Sequence, residues 1–163
     1  MNDRPSLTIR TATPDDVTVI LGFVRDLARF ERAEHEVVAD EAAILQTLFA
    51  RGARAHAVIA EHDGHVVGFA VYFFSYSTWQ GRNGLYLEDL YVTPAHRGNG
   101  TGKALLRHLA RIALEKDCGR FEWSVLDWNE TAINVYKQIG AKPQDEWIRY
   151  RLDGKALERL AES

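Results

Sequence analysis

The sequence predicts one α/β domain in which strand and helix patterns alternate along the whole chain. Its 163 residues are an ordinary length for a single domain, so we expect residues 1–163 to fold as one. A hydrophobic content of 46% and a charged content of 26% are typical of a soluble globular protein. No internal repeat or low-complexity tract interrupts the alternation.

Hydrophobic periodicity and turn signals place the individual elements. Asp63-Gly64 is a strong hairpin signal between two strands, Asp40 is the expected N-cap of the second helix, and Gly140 is the expected end of the fourth. The predicted strands are residues 7–12, 55–61, 66–76, 85–92, 121–126 and 146–152. The predicted helices are residues 14–30, a helix that begins after Asp40, residues 101–116 and residues 129–139.

The most informative segment is a strand that runs into a glycine-rich turn and then into an amphipathic helix. The strand ends with the residues 87–92, LEDLYV, and the turn is residues 97–103, RGNGTGK. The first turn of a helix carries N–H groups without internal partners and the positive end of the helix dipole, so it can bind a phosphate. We therefore expect a phosphorylated cofactor here, and the alternative is a glycine-rich helix entry without a ligand.

The glycine spacing excludes two common phosphate loops. A P-loop needs a glycine in place of Arg97 and a serine or threonine in place of Ala104. The dinucleotide-binding fingerprint needs a glycine in place of Lys103 and a βαβ unit that opens with it. The pattern that fits is Arg-x-x-Gly-x-Gly, formed by Arg97, Gly100 and Gly102.

This pattern resembles the acetyl-CoA motif of the GNAT superfamily of N-acetyltransferases. The predicted element order β-α-α-β-β-β-α-β-α-β is that of the GNAT fold over nearly the whole chain. The resemblance implies an α/β (α+β) architecture with an open, mixed, mostly antiparallel sheet and helices on both faces. It also implies acetyl-CoA as co-substrate, with its pyrophosphate on the loop and its pantetheine arm on the preceding strand. The cofactor-binding residues that it implies are Leu90, Tyr91, Val92, Arg97, Gly98, Asn99, Gly100, Thr101, Gly102, Lys103, Asn129, Glu130, Ala132 and Tyr136.

The helix that follows Asn129 supplies a candidate general acid. Without the resemblance, the sequence pattern indicates that Tyr136 is a core aromatic residue with a polar tip. The resemblance assigns it the proton that the departing CoA thiolate takes up. A phenol with a pKa near 10 stays protonated at neutral pH and can donate as charge develops on the sulfur, which suits this role.

The attacking amine has the opposite requirement. An alkyl ammonium with a pKa of about 10.4 must lose a proton before it can attack. Glu88 lies in the strand just before the glycine loop and is the candidate catalytic base, acting directly or through a water molecule. The alternative is that Glu88 is an ordinary solvated strand acid.

Within the superfamily the chain looks like the spermidine/spermine (diamine) acetyltransferase branch, which includes thialysine acetyltransferases. The matching segments are residues 25–31, 67–74, 85–92 and 128–130. That branch implies a small primary amine as substrate, a homodimer, and a set of substrate-binding residues. These are Phe30, Glu31, Trp79, Glu88, Asp89, Glu122, Trp123, Ser124 and Glu146. Phe30 stands where the polyamine enzymes have a tyrosine, so the substrate preference is expected to differ.

Charge and composition also bear on the binding partners, the cellular location and the metal content that we expect. A net charge of −3 without a basic block argues against nucleic acid, and no apolar run approaches the roughly 20 residues of a membrane span. Residues 1–5 lack the apolar core of a signal peptide, so we expect a cytoplasmic protein. Cys118 is the only cysteine and has no partner in metal-ligand spacing, so we expect no disulfide and no metal.

Three functions stay open at this point. The leading one is N-acetylation of a small-molecule amine by direct attack in a ternary complex. The second is a protein acetyltransferase that acts on lysine side chains or an N-terminus. The third is a non-catalytic acetyl-CoA-binding sensor, which would have no need of Tyr136 or Glu88.

Overall fold

The structure is a computed structural model that describes residues 6–163. Residues 1–5, where we expect no signal peptide, lie outside this range. The chain divides into a larger unit that ends at Ser124 and a smaller unit from Val125 to Ser163. Each unit is described separately below.

The larger unit consists of one five-stranded sheet and the helices that connect its strands along the chain. Its strands are β1 (Leu7–Thr11), β2 (Ala55–His62), β3 (His65–Ser77), β4 (Arg82–Val92) and β5 (Phe121–Trp123). Its helices are α1 (Val17–Phe30), α2 (Glu41–Ile44), which continues as a π-helical turn over Leu45–Phe49, and α3 (Thr101–Glu115). The predicted elements of this unit are therefore present, with bounds that differ by a few residues.

The sheet is open, mixed and mostly antiparallel, as predicted. Its strand order is β1-β2-β3-β4-β5, and only the pairing of β4 with β5 is parallel. The hairpin predicted from Asp63-Gly64 is confirmed, because His62 pairs with His65 across that turn. Gly64 has a φ of +79°, a conformation that glycine adopts at little cost.

Helices cover both faces of the sheet. Phe23 of α1 packs against Phe69 and Tyr91, with both ring-centroid distances at 5.4 Å. The residues that neighbour Phe69 and Tyr91 in their strands point to the opposite face of the sheet. On that face Leu90 lies 4.0 Å from the position that a Cβ on Gly102 of α3 would take. We call the two sides of the sheet the α1 face and the α3 face.

Local hydrogen bonds explain where the first two helices begin. Asp16 accepts a 2.7 Å hydrogen bond from the backbone N–H of Thr13 and two more from the Arg10 guanidinium, so α1 is preceded by a tight 3₁₀ turn. The side chain of Asp40 accepts from the N–H of Ala43 at 2.8 Å, which confirms it as the N-cap of α2.

The smaller unit contains α4 (Glu130–Gln138) and α5 (Gly154–Glu162). Asn129 caps α4 as predicted, since its side-chain oxygen accepts from the N–H of Ala132 at 3.2 Å. The predicted last strand, residues 146–152, is wrong: this segment forms no strand, and α5 follows it unpredicted. The neighbours Trp147 and Ile148 are 68% and 77% exposed, so the segment has no buried face and no ladder to hold it as a strand.

No helix among residues 6–163 combines the length and the apolarity that crossing a lipid bilayer requires.

Candidate active site

A β-bulge in β4 gives the candidate site its two adjacent acids. Val71 of β3 pairs with Asp89, but the next residue, Tyr72, pairs with Leu87, so Glu88 is the extra residue. As a result Leu87 shares the α3 face with Tyr72, whereas Asp89 shares the α1 face with Val71 and Tyr91. Without the bulge, Leu87 and Asp89 would point to the same side of the sheet.

Beyond Leu87, β4 has a free edge on the side of β5. The parallel pairing with β5 ends where Leu87 meets Trp123, whereas β4 continues to Val92. Within the described residues of the larger unit, no strand continues the ladder on that side. The backbone groups of residues 88–92 along this edge can therefore bind an extended ligand by strand addition.

The glycine loop opens directly onto the N-terminus of α3. Gly98 and Gly100 have φ values of +78° and +84°, and no atom lies within 4 Å of the site where a Cβ would stand on either. The first intrahelical acceptor is the carbonyl of Gly100, which binds the N–H of Ala104, so the amides before Ala104 are the unpaired donors of the helix end. Thr101 is 1% exposed, and its hydroxyl has no hydrogen-bond partner among the described residues.

These features fit a phosphorylated ligand. The loop has an open surface, its helix end offers unpaired N–H donors, and a buried hydroxyl at the same place lacks a partner. Lys103 is exposed in the first turn of α3 and adds a positive charge there.

Asp89 lies close enough to Glu88 and to Glu31, where α1 ends, for both charges to act on its carboxyl group. Burial, together with the charges of Glu88 and Glu31, raises the pKa of Asp89 to about 6. Burial also raises the pKa of Glu31, the residue that follows α1. A cation beside Asp89 would offset the repulsion between these negative charges.

The side chain of Arg97 lies on the α1 face. Its Nε donates a 2.8 Å hydrogen bond to the carbonyl of Val92, and its guanidinium carbon lies 5.5 Å from the ring centroid of Phe30 and 5.3 Å from that of Tyr91. The loop thus begins on the α1 face, and its glycines lie next to the N-terminus of α3.

The structure brings together only part of the predicted acceptor site. Trp79 is 88% exposed in the turn between β3 and β4. The end of β3 at Ser77 is six residues from Val71, the partner of Asp89, which at about 3.3 Å per residue is roughly 20 Å along the strand. Within one chain Trp79 is therefore remote from the bulge.

The predicted residues of β5 have their own contacts. The carboxylate of Glu122 already pairs with Arg120 at 2.8 Å, and Trp123 packs against Phe121 with ring centroids 4.9 Å apart. The hydroxyl of Ser124 lies 2.7 Å from that of Tyr86, at the place where β4 and β5 part.

The sequence prediction missed two parts of this site. The bulge has a signal in the sequence, because the apolar residues Leu85, Leu87 and Leu90 change phase between the last two. The contact of Arg97 with Phe30 has no such signal, because nothing local brings two residues 67 positions apart into contact.

In the smaller unit the predicted residues lie on or near α4. Glu130 and Ala132 are in its first turn, and Tyr136 is half-buried on the same helix. Glu146 is exposed in the segment that follows. Among residues 6–163 no group of three or more His, Cys, Asp or Glu side chains is placed to hold a metal ion.

Comparison with known proteins gives a consistent result. Residues 22–141 match the acetyltransferase (GNAT) family. The chain is 40% identical to a thialysine N-epsilon-acetyltransferase from Mus musculus, over 96% of this chain and 98% of that protein. It is 32% identical to the L-ornithine N5-acetyltransferase NATA1 from Arabidopsis thaliana, over 93% and 86%. Among solved structures, an integron cassette protein from the V. cholerae mobile metagenome has a TM-score of 0.80 and 30% identity, over 97% and 99%.

Proposed function

This chain belongs to the GNAT family of acetyltransferases, and from that premise we propose that it moves an acetyl group from acetyl-CoA to a primary amine of a small cationic molecule. Diamines, polyamines and thialysine-like amino acids are the substrate classes that we name. The observation that carries the acceptor side is the acid cluster of Glu31, Glu88 and Asp89 at the bulge. A small ammonium group is the ligand that such a cluster attracts.

The donor is proposed to bind along β4 and the glycine loop. The residues that would hold it are the free edge of residues 88–92, the amides of residues 98–103, and the hydroxyl of Thr101. The loop amides and the α3 dipole suit a pyrophosphate, and the strand edge suits the amide groups of the pantetheine arm. When bound, acetyl-CoA supplies an activated acetyl group as a thioester.

Two proton transfers complete the reaction. Glu88 accepts the proton that the substrate ammonium must lose, directly or through a water molecule. Asp89 is the alternative base, because a carboxylate with a pKa of about 6 in a partly buried site is better matched to neutral pH than an ordinary acid. Tyr136 is proposed to give its phenolic proton to the thiolate that leaves.

We propose that the two units work as one domain, since the family match at residues 22–141 runs across their boundary at Ser124. We also propose a homodimer in the cytoplasm. Support for the dimer comes from exposed apolar side chains in the smaller unit, which a second copy would cover; these are Trp147, Ile148, Tyr150, Leu157 and Leu160.

A panel of amines tests this function, with acetyl-CoA as donor and thiol release as the readout. We expect turnover with free diamines, polyamines and thialysine, and little with lysine-containing peptides, because the acid cluster is small and local. Tyr136→Phe should lower kcat by about 10²–10⁴-fold, the usual contribution of a general acid.

The alternatives predict other outcomes. A protein acetyltransferase would prefer the peptides over every free amine. A non-catalytic sensor would bind acetyl-CoA and release no thiol with any amine. Unchanged kcat in Tyr136→Phe would remove the general-acid role while leaving the substrate class intact.

A further inference from the structure

The side chain of Arg97 is engaged on the acceptor side of the site, although its backbone begins the loop of the donor side. The guanidinium is fixed by a 2.8 Å hydrogen bond to the carbonyl of Val92 and by the rings of Phe30 and Tyr91. Tyr91 is 7% exposed and packs against Phe23 in the core, so its ring is a rigid support. Phe30 is 44% exposed at the end of α1, so the guanidinium is one of the contacts that hold it.

The end of α1 determines where Glu31 lies. Glu31 is the residue after Phe30, and its N–H still bonds to the carbonyl of Leu27. The chain reverses immediately afterwards at Arg32, which has a φ of +61°. Glu31 is close enough to Asp89 for its charge to act on that carboxyl group. A shift of Phe30 therefore moves Glu31 relative to Asp89.

We infer that Arg97 is a positioning residue for the amine acceptor: stacked between α1 and β4, it holds Glu31 beside Asp89 so that the two acids receive one ammonium group. This inference rests on the proposed function, because it concerns the same acid cluster. This role differs from that of a phosphate ligand, because the guanidinium is already held by a carbonyl and two aromatic rings and its function there is to fix the position of α1. Planarity matters for such a contact, and a lysine cannot reproduce it.

The test compares Arg97→Lys and Arg97→Gln by their KM values for the amine and for acetyl-CoA. Both variants lose the planar group stacked on the two rings, so we expect the amine KM to rise about tenfold in Arg97→Gln, the size expected for two cation–π contacts, and by a smaller factor in Arg97→Lys, whose ammonium keeps part of the attraction. Arg97→Lys keeps the positive charge in the loop, so its KM for acetyl-CoA should stay within about twofold of the wild type. The exposed Arg54→Lys, in the loop before β2, is the matched control and should change neither constant.

Phe30→Leu removes the aromatic ring that the Arg97 guanidinium contacts and leaves the loop sequence intact. The inference can therefore be tested even if an Arg97 variant does not fold. We expect it to raise the amine KM by a similar factor. In the double variant Phe30→Leu/Arg97→Lys the rise should be no larger than in the more affected single variant, because both remove one contact.

Two results would overturn the inference. One is an unchanged amine KM in Arg97→Lys together with active enzyme. The other is independent, multiplicative effects of the two substitutions. Failure of the proposed function looks different, because the wild-type protein would then acetylate none of the amines.

Discussion

Replacing Asp89 with asparagine should make the folded protein more stable at neutral pH. Burial and the charges of Glu88 and Glu31 raise the pKa of Asp89 from 3.8 to about 6. A shift of this size corresponds to at most about 3 kcal/mol of destabilisation when the group is ionised, and partial access to solvent reduces it to roughly 1–3 kcal/mol. Asparagine has nearly the same shape and carries no charge, so it removes this penalty.

The direction in which the stability changes with pH follows from proton binding. A carboxyl group whose pKa is raised by folding holds its proton more tightly in the folded state than in the unfolded one. Ionising Asp89 therefore costs stability progressively as the pH rises from about 4 to about 6, and the cost is constant above that range. The gain from Asp89→Asn should be full at pH 8 and about half as large at pH 5.

Urea unfolding at pH 8 and at pH 5 measures this gain. We expect a higher midpoint at pH 8 with an unchanged m value, and a smaller difference at pH 5. Asp145→Asn is the matched control, since Asp145 is exposed in the smaller unit and its substitution should change stability by less than about 0.5 kcal/mol. A variant that is less stable than wild type at pH 8, or equally stabilised at both pH values, would refute the reasoning.

Three further predictions concern other parts of the molecule. Glu31→Gln removes a charge that raises the pKa of Asp89, so with Asp89 as the base the acid limb of the kcat/KM pH profile should move to lower pH, and an unmoved limb would exclude Asp89 as the base. Gly100→Ala should cost about 1 kcal/mol in thermal unfolding, because its φ of +84° disfavours a Cβ, and a neutral effect would contradict that strain. Asp16→Asn should cost about 2–3 kcal/mol at pH 7 by weakening the bonds from Arg10, and the difference should shrink as the pH falls below about 4; a loss independent of pH would exclude the ion pair.

The elements that depend on local signals could be predicted from the sequence. The β2–β3 hairpin follows from Asp63-Gly64, and the caps of α2 and α4 follow from Asp40 and Asn129, because each of these residues acts on backbone within a few positions of itself. The loop after β4 could be predicted for the same reason, since its glycines relieve strain at their own positions.

The parts that depend on distant partners could not be predicted in this way. Residues 146–152 have the composition of a strand, but a strand also needs a neighbour, and the sequence of one segment does not say whether a neighbour exists. The position of Trp79 illustrates the same limit. The resemblance groups it with Glu88, whereas the length of the β3–β4 hairpin separates the two residues within one chain.

The bulge explains how a short piece of one strand can serve both substrates. The backbone groups of a strand lie in the plane of the sheet, whereas its side chains stand perpendicular to that plane. Residues 88–92 therefore offer edge backbone groups to the proposed donor, except the Val92 carbonyl that Arg97 binds, and the carboxyl group of Asp89 to the proposed acceptor on the α1 face. In the proposed reaction the amine and the thioester would both be positioned by this segment, so their relative geometry would depend on one strand. The register shift at Glu88 allows Leu87 to pack on the α3 face while Asp89, in phase with Tyr91, stays on the α1 face.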